Sequence, residues 1–338
     1  MSRRAILVIL LAICACSRVD EPKQSAIPQA SAPSDSKVTR VGWLATGNAP
    51  TQAENAAGDF QVALKDLGYT LGPNFVIEYR YAGGDVERLR QLAGDLVAAK
   101  VDVIVAAGES AAQAAKRATT TIPIVAIELQ MDPVKAGIVK SLARPEANVT
   151  GLDTRDDELW QKRLSVFRQV IPRLARAAVL SNPTTPSSAA CIEEIRTAAP
   201  ALGVQVQVYE VADSGSWERA LTALPKDRPD ALLICWDSST LAQAPQIADV
   251  ARKQGLPTLA SIREYAEGGS MMTYGISLPA HRRRAAFYVD KLLKGTKPGE
   301  LPVERAAQFD LVFNLGTAKA VGIAIQPGIL TLADELIK

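Results

Sequence analysis

Small and polar residues follow six short apolar runs of the chain, at the points where predicted strands end. The six segments are Ala45–Asn48, Ala107–Ser110, Glu128–Asp132, Ser181–Pro183, Trp236–Thr240 and Ser261–Glu264. Their hydroxyl, amide and carboxyl groups could hold a small polar molecule through hydrogen bonds, and the same residue types also form turns and helix N-caps. For any single segment both interpretations stay open. Six such segments together favour a binding site.

Catalysis has little support in the sequence. The chain has one histidine, His281. It therefore has no His partner for a metal site or for serine–histidine chemistry. No glycine loop has the phosphate-binding pattern G-x-x-x-x-G-K-S/T, and Gly42 to Gly47 lacks the G-x-G-x-x-G spacing. A hydrolase that uses carboxylates such as Glu109 and Glu128 remains an alternative. The sequence favours non-covalent binding without a metal or a cofactor.

The elements that position these segments alternate between strands and helices. The predicted strands are 38–44, 75–79, 101–106, 124–127, 177–180, 205–210, 231–235 and 257–260. The predicted helices are 54–67, 86–99, 110–117, 188–199, 216–224 and 241–254. Continuous apolar strands joined by helices are typical of a parallel sheet that is covered on both faces. Because the pattern restarts near Ala177, the predicted fold class is α/β with two similar Rossmann-like lobes and parallel sheets.

Length and composition agree with two lobes. A folded body of about 300 residues is too long for one ordinary core. In open parallel sheets, ligands bind outside the carboxyl ends of the strands, so two facing lobes would enclose an interlobe cleft. The net charge of +2 argues against a nucleic-acid partner. We expect the one basic cluster, Arg282 to Arg284, to form a solvated helix face.

The N-terminus has the pattern of an export signal. Two arginines precede the apolar run Ala5–Ala12, and Ile13-Cys14-Ala15-Cys16 follows it. The run is too short for a membrane-spanning helix, which needs about 20 residues. The pattern resembles the bacterial lipoprotein type, so residues 1–15 are predicted to be a signal peptide and Cys16 to carry the lipid, with simple cleavage as the alternative. The predicted location is the bacterial cell envelope, on the periplasmic side, in either the inner or the outer membrane.

The segment after Cys16 is rich in Ser, Ala, Pro and Gln and has no apolar periodicity, so residues 16–37 are predicted to be a flexible tether. Two further cysteines, Cys191 and Cys235, remain in the folded body. They could pair in an oxidising envelope. Because Cys235 ends an apolar run and Cys191 lies in a predicted helix, the sequence favours two separate buried thiols.

Eight ordered fragments carry a resemblance to a known family. They are G-W-L at Gly42, I-E-Y-R at Ile77, D-V-I-V-A-A-G at Asp102, T-I-P-I-V at Thr121, D-P-V-K-A-G-I-V-K-S-L-A-R-P at Asp132, N-V-T-G-L at Asn148, Y-V-D-K-L-L-K-G at Tyr288 and N-L-G-T-A-K-A-V-G at Asn314. With this set the chain resembles the bacterial ABC-transporter substrate-binding proteins that include tryptophan-binding members and have a type I periplasmic-binding-protein fold. The resemblance covers about nine tenths of the chain and rests on the ordered set of fragments.

The resemblance implies a monomeric receptor that captures a small molecule and delivers it to an ABC permease with a cytoplasmic ATPase. The alternative is an envelope sensor that signals to a membrane partner. Three lobe crossovers are implied, near Asn148–Leu152, near Tyr274–Ser277 and after Pro302. Lobe 1 is then expected to comprise 38–150 plus about 277–304, and lobe 2 to comprise 151–276 plus about 305–338.

An amino-acid ligand would bring a carboxylate, an ammonium and a side chain, and each needs a partner once desolvated. Ser110 at a helix N-terminus suits the carboxylate, and Asp237 suits the ammonium. Glu128 and Gln130 add an acidic or amide contact, and Trp236 is a candidate for stacking. The complete set of candidate ligand-binding residues is Ala45, Thr46, Gly108, Glu109, Ser110, Glu128, Gln130, Asn182, Trp236, Asp237, Ser238, Thr240, Arg263 and Tyr274.

In the tryptophan-binding relatives, the segment that matches Trp236–Thr240 looks like an Asp-Asn-Thr run. Here that run is Asp237-Ser238-Ser239-Thr240. The aspartate is kept, while the change to Ser238 leaves the identity of the ligand open. An amino acid, a peptide fragment and an unrelated small organic molecule all remain candidates.

Overall fold

The computed structural model describes residues 38–49, 58–212 and 214–338. The predictions of a signal peptide, of lipidation at Cys16 and of a flexible tether therefore lie outside the described residues, as do the first residues of the helix predicted from Glu54. Within the described ranges, no helix has the length and apolar character that crossing a membrane requires.

The first sheet has six strands in the order β11-β5-β4-β3-β1-β2. Its strands are β1 (Thr39–Ala45), β2 (Phe75–Tyr81), β3 (Val103–Ala107), β4 (Ile124–Leu129), β5 (Val149–Asp153) and β11 (Glu304–Arg305). All of its strand pairs are parallel. We call this sheet and the helices packed on it lobe 1.

Two helices cover each face of the lobe 1 sheet. On one face, α1 (Gly58–Asp66) and α10 (Leu278–Leu293) pack against a core that contains Trp43, Phe60 and Tyr288. On the other face, α2 (Val86–Ala98) and α3 (Glu109–Ala118) pack against a core that contains Leu89 and Leu96. The continuous apolar strands follow from this double coverage, because side chains of both strand faces are buried.

The second sheet has seven strands in the order β13-β12-β10-β9-β8-β6-β7. Its strands are β6 (Arg176–Ser181), β7 (Gln205–Glu210), β8 (Ala231–Ile234), β9 (Thr258–Ala260), β10 (Met272–Ile276), β12 (Phe309–Asn314) and β13 (Glu335–Ile337). Strands β10 and β12 are antiparallel, and the remaining pairs are parallel. The sheet is thus mostly parallel, and β12 runs antiparallel to β10 because the chain returns from lobe 1 and enters this strand from the opposite end. We call this sheet and its helices lobe 2.

Helices also cover both faces of the lobe 2 sheet. One core lies under α4 (Trp160–Val170), α5 (Pro186–Ala201), α11 (Leu315–Ala320) and α12 (Pro327–Leu330). The other lies under α6 (Ser214–Asp227), α7 (Ser238–Ala242), α8 (Ala244–Lys253) and α9 (Arg263–Glu267). The prediction of an α/β protein with two Rossmann-like sheets is confirmed.

The chain passes between the two sheets three times. It leaves lobe 1 after β5 and enters α4, returns between β10 and α10, and leaves again between β11 and β12. The three connecting segments are bonded to one another. The Ser277 N–H donates to the Gln308 carbonyl at 3.3 Å, and the Ala306 N–H donates to the Asp153 carbonyl at 2.7 Å.

One predicted helix is in fact two. The run 241–254 was expected to be continuous, whereas α7 ends at Ala242 and α8 begins at Ala244. The break lies just before Pro245, which lacks an N–H for a helical hydrogen bond and whose ring crowds the preceding turn.

The expectation of two separate thiols is also wrong, because Cys191 and Cys235 form a disulfide with a Cα–Cα distance of 6.0 Å. Cys191 lies on the face of α5 that packs on the sheet, and Cys235 follows β8. Both belong to the same apolar core. The packing of α5 onto the sheet thus brings together two side chains that are 44 residues apart in sequence.

Candidate functional site

The lobe 1 side of the site is the carboxyl edge of its sheet. Ala45 at the end of β1 pairs with Ala107 at the end of β3. The Thr46 carbonyl accepts the Gly84 N–H at 2.7 Å, which fixes the turn after β1. Gly108 then begins α3 with φ 88°, a conformation that favours glycine. The chain therefore turns sharply at this edge and presents the first turn of α3.

Glu109 binds its own lobe. Its Oε1 accepts the N–H groups of Gln130 at 2.5 Å and of Met131 at 2.9 Å. Burial raises the pKa of this carboxyl to about 7, since hydrogen bonds from backbone N–H groups only partly offset the loss of water. Ser110, the next residue, is 9% exposed. Glu109 thus holds the segment after β4 in place, and Ser110 is left at the helix N-terminus.

Glu128 is engaged by the first turns of α10. Its N–H donates to His281 Nε2 at 3.1 Å, and its carboxylate pairs with Arg282 at 2.9 Å. The expectation that Arg282 to Arg284 form a solvated face is wrong for Arg282, whereas Arg283 and Arg284 are exposed. Arg283 pairs with Asp59 at 2.8 Å and Arg284 binds Glu304, while the Arg282 side chain is only 16% exposed. Because three carboxylates come from other elements, the sequence run alone does not reveal these partners.

The lobe 2 side centres on Asp237, which follows β8 and caps α7. Its Oδ1 accepts the N–H groups of Ser239 at 2.6 Å and Thr240 at 3.2 Å. Asn182, at the end of the neighbouring β6, donates its amide to the same oxygen at 3.3 Å. Thr240 completes the capping box, because its Oγ1 accepts the Asp237 N–H at 3.1 Å.

The second oxygen of Asp237 has no such partners. Asp237 is 4% exposed, and among the residues that the structure describes, none donates a hydrogen bond to Oδ2. Burial raises the pKa of this carboxyl above its usual value, although the bonds to Oδ1 oppose the shift. The hydroxyls of Ser181 after β6 and Ser261 after β9 are likewise buried and without a partner in the described ranges. Three adjacent strand ends thus carry buried polar atoms with unused hydrogen-bonding capacity.

The two edges approach each other directly. A Cβ added to Gly47 of lobe 1 would lie 3.2 Å from both Cβ and Oγ of Ser238 in lobe 2. Helix α3 of lobe 1 also contacts α5 of lobe 2. Residues next to Thr46, Ser110 and Asp237 therefore meet across a narrow cleft between the lobes.

Three candidate residues have other partners. Trp236 is 5% exposed and packs in the core under α6 to α9. The Tyr274 ring packs against the core under α4 and lies 6.3 Å from the Phe309 ring. Arg263 binds Glu335 at 2.6 Å and Glu267 at 2.5 Å, within its own lobe. These contacts stabilise lobe 2 and do not require a ligand.

Two residues outside the set of candidate ligand-binding residues also lie near the strand ends. Tyr81 ends β2, is half-buried, and stacks on Tyr79 with ring centroids 6.1 Å apart. Glu264 is the second residue of α9, and its Oε2 is buried without a partner among the described residues. Tyr81 lies at the carboxyl edge of the lobe 1 sheet, since it pairs with Ala45. In the sequence, the alternating aromatic residues Tyr79-x-Tyr81 are the feature that could have indicated it.

No group of three or more His, Cys, Asp or Glu side chains could hold a metal ion in the part of the chain that is described. The arrangement offers hydrogen-bond acceptors, hydroxyls and a helix N-terminus around a cleft. Such a set can bind a small polar molecule that carries a positive group. Fold and site together define a two-lobed binding protein.

The family follows from comparison with known proteins. A family model described as ABC transporter substrate binding protein matches residues 48–337, and the chain belongs to this family. The expected resemblance is confirmed. Members of this family are extracytoplasmic binders and not enzymes.

Known relatives agree with this assignment. A tyrosine-binding protein of Clostridioides difficile strain R20291 is 28% identical over 268 residues, which are 79% of this chain and 76% of the relative. A conserved domain protein from Vibrio cholerae superposes with a TM-score of 0.81 at 26% identity, covering 89% of this chain and all of the other.

A domain from Streptococcus pneumoniae solved in complex with L-Trp has a TM-score of 0.81 at 22% identity, with 89% and 100% of the two chains covered. A ligand-free, open substrate-binding protein with adhesive properties from Clostridium difficile has a TM-score of 0.64 at 24% identity, with 89% and 99% covered. These structures share the fold of the chain. The architecture expected for type I periplasmic binding proteins is confirmed.

Proposed function

We propose that this chain is the extracytoplasmic substrate-binding protein of an ABC importer and that it captures an amino acid between its two lobes. The observation that carries the proposal is the buried Oδ2 of Asp237, which has no hydrogen-bond partner among the described residues. The names of the relatives support the ligand class, since one is a tyrosine-binding protein and another was solved with L-Trp.

The ammonium of an amino acid is a suitable partner for Asp237. A buried carboxylate oxygen without a donor is unfavourable, and an ammonium supplies both charge and hydrogen-bond donors. A charge-assisted hydrogen bond of this kind contributes about 1.5 to 3 kcal/mol. Asn182, Ser239 and Thr240 already hold Oδ1, so the carboxylate is oriented before the ligand arrives.

The carboxylate of the amino acid is assigned to the first turn of α3. No side chain caps this helix within the described residues, and its cap residue is Gly108. The N–H groups of a helix N-terminus favour an anion. The Ser110 hydroxyl lies in this turn, and α5 of the other lobe contacts the same helix. The two charged ends of the ligand would then bind to different lobes.

Closure of the lobes couples capture to delivery. Contacts that form only when both lobes reach the ligand favour the closed state, and a shift from 1:99 to 99:1 requires about 5.5 kcal/mol of differential affinity. Two or three charge-assisted hydrogen bonds suffice for this. We propose that the closed form, in which Ser238 meets Gly47, is the form that the permease and its cytoplasmic ATPase recognise.

The substitution Asp237→Asn tests the ligand class. Asparagine keeps the acceptor that caps α7 but replaces the free oxygen with an amide NH2, which cannot pair with an ammonium. We expect the affinity for the bound amino acid to fall by roughly tenfold or more. Asp249→Asn is the matched control, because that carboxylate lies in the same lobe and pairs with Arg252 and Lys253 at the surface. Calorimetric titration that shows equal affinity in Asp237→Asn and wild type would overturn the assignment.

The membrane anchor is the second part of the proposal. A lipid on Cys16 and a tether over residues 16–37 would keep the monomeric two-lobed receptor near its permease. Cells that express the wild-type chain should incorporate labelled palmitate into it, and Cys16→Ser should abolish the label and release the protein from membranes. Equal labelling of the Cys16→Ser variant would exclude this site of lipidation.

A further inference from the structure

Glu264 lies beside the Asp237 segment. It is in the first turn of α9, which follows β9, and β9 is the direct neighbour of β8 in the sheet. The next residue, Tyr265, places its hydroxyl 2.6 Å from Thr240 Oγ1 in the first turn of α7. Helix α9 is thereby packed against the segment that holds Asp237, at the cleft edge of lobe 2.

The Glu264 carboxylate has unused accepting capacity. Its Oε2 is buried, and none of the described residues donates to it. Burial is the main cause that raises the pKa of this carboxyl. The neighbouring Arg263 cannot compensate, because it binds Glu267 and Glu335. A buried carboxylate oxygen in this state is suited to accept a hydrogen bond from a molecule that enters the cleft.

Groups of lobe 1 face Glu264 across the lobe boundary. Arg282 and Glu128 both act on its charge, Arg282 favourably and Glu128 unfavourably. Arg282 directs Nε at 3.0 Å and Nη2 at 2.9 Å to Oε1 of Glu128. Tyr81 ends β2 at the same carboxyl edge of the lobe 1 sheet as Glu128, because its register runs through Ala45 and Ala107 to Ile127, the residue before Glu128. This edge meets the α7 segment of lobe 2 where Gly47 approaches Ser238, so a half-buried aromatic ring and an ion pair lie on the lobe 1 side of the boundary that Glu264 borders.

We propose that Tyr81, the Arg282–Glu128 pair and Glu264 form a subsite for the ligand side chain, which takes an aromatic ring that carries a hydrogen-bond donor. The ring packs against Tyr81, and the donor, a phenol O–H or an indole N–H, bonds to Glu264 Oε2. The subsite rests on the proposed function, because it describes the side-chain end of an amino acid whose ammonium binds Asp237. Glu264 is then a specificity-determining residue.

Two matched ligand pairs test the subsite by calorimetric titration of the full-length chain. L-tyrosine and L-phenylalanine differ only in the hydroxyl, and L-tryptophan and 1-methyl-L-tryptophan differ in the ring N–H. In at least one pair, we expect the member with the donor to bind the wild type about 10- to 100-fold more tightly. Glu264→Ala should bring that ratio close to one while the affinity for the other member changes by less than about threefold. Glu264→Gln, which keeps an acceptor oxygen and the side-chain volume, should retain part of the preference.

The control is Glu267→Ala in the same helix, whose carboxylate contacts Arg263 at the surface and should leave the ratio unchanged. Equal unfolding midpoints of Glu264→Gln and wild type show that the site is intact. If amino acids bind but the ratio is the same in wild type, Glu264→Ala and Glu264→Gln, the subsite is wrong and the amino-acid function stands. If the wild type binds a non-aromatic amino acid but none of these four compounds, the subsite is wrong and the proposed function stands; if no amino acid binds, the proposed function fails and the subsite fails with it.

Discussion

Arg163 and Asp156 form a buried ion pair where the chain crosses from lobe 1 to lobe 2. The Arg163 side chain is fully buried, and its Nε also donates to the Tyr274 carbonyl at 2.6 Å. Asp156 belongs to the first crossover, and Tyr274 lies in β10, the strand from which the second crossover leaves. One guanidinium therefore joins the first connecting segment to β10, and the geometry of the lobe boundary depends on it.

Replacing Arg163 with methionine should destabilise the fold strongly. The change keeps the apolar stem but removes the Arg163 donors to the Asp156 carboxylate and to the Tyr274 carbonyl. Removing one partner of a buried pair costs about 3 to 5 kcal/mol. Urea unfolding followed by circular dichroism measures the loss, and the double variant Arg163→Met/Asp156→Asn should recover part of it. Arg252→Met breaks an exposed pair and should change stability by less than about 1 kcal/mol. A loss of the same small size in Arg163→Met would contradict this role.

Gly47 should be essential for closure and unimportant for folding. The position of its missing Cβ lies 3.2 Å from the Ser238 side chain, so the bulky Gly47→Leu would hold the lobes apart. We expect roughly tenfold weaker ligand binding, which corresponds to about 1.4 kcal/mol, with little change in unfolding free energy. Small-angle scattering should show that the ligand no longer reduces the radius of gyration. Gly94→Leu, on an exposed position of α2 with nothing within 4 Å, is the control and should bind and close normally. Normal compaction of Gly47→Leu would refute the prediction.

The disulfide should contribute substantially to the stability of lobe 2. It closes a chain segment of 44 residues, and constraining the unfolded chain over such a loop is worth about 4 kcal/mol in the entropic model. Urea unfolding of the oxidised chain, compared with the chain refolded under a reductant, measures the difference. The double variant Cys191→Ala/Cys235→Ala should be insensitive to the reductant. An unchanged midpoint after verified reduction would show that the crosslink adds nothing.

Elements with strong local patterns could be predicted from the sequence, and others could not. Strand Val103–Ala107 is buried throughout and its apolar run is unambiguous. Helix α4 has no such clarity, because Arg163 lies on its buried face between Trp160 and Phe167 and interrupts the apolar pattern. Strand β12 contains Asp310 and Asn314 beside its apolar residues and pairs antiparallel with β10, so its place in the sheet follows from the third crossover and not from its composition.

Positions at strand ends were predictable for the site, whereas the state of each side chain was not. The sequence pattern indicates Asp237 as a charge that follows an apolar strand. Ser239 and Thr240 bind its Oδ1 locally, whereas the third donor to that oxygen, Asn182, lies 55 residues away in sequence. Nothing local in the sequence reveals that Arg263 is bound by Glu335 of the last strand, while its neighbour Glu264 keeps an oxygen without a partner among the described residues. Long-range partners decide which residue at a strand end stays available.

Glu109 should make the stability of the protein fall as the pH rises, and the variant Glu109→Gln should lack this effect. Its pKa is raised from 4.5 to about 7 by burial, so the folded state favours the protonated form. The stability that this preference contributes is fully present below pH 4.5 and is lost as the pH rises through about 7, because the unfolded chain releases the proton first. Glutamine keeps an oxygen that accepts the N–H groups of Gln130 and Met131 but does not ionise, so Glu109→Gln should not show this loss.

One pKa unit corresponds to about 1.4 kcal/mol, and the free energy of unfolding of Glu109→Gln relative to wild type should therefore rise by about 2 to 3 kcal/mol between pH 5 and pH 8. Taking the difference between the two proteins cancels the titrating groups that do not interact with Glu109. Urea unfolding at the two pH values measures the difference, and a constant difference would show that Glu109 ionises as readily in the folded protein as in the unfolded chain.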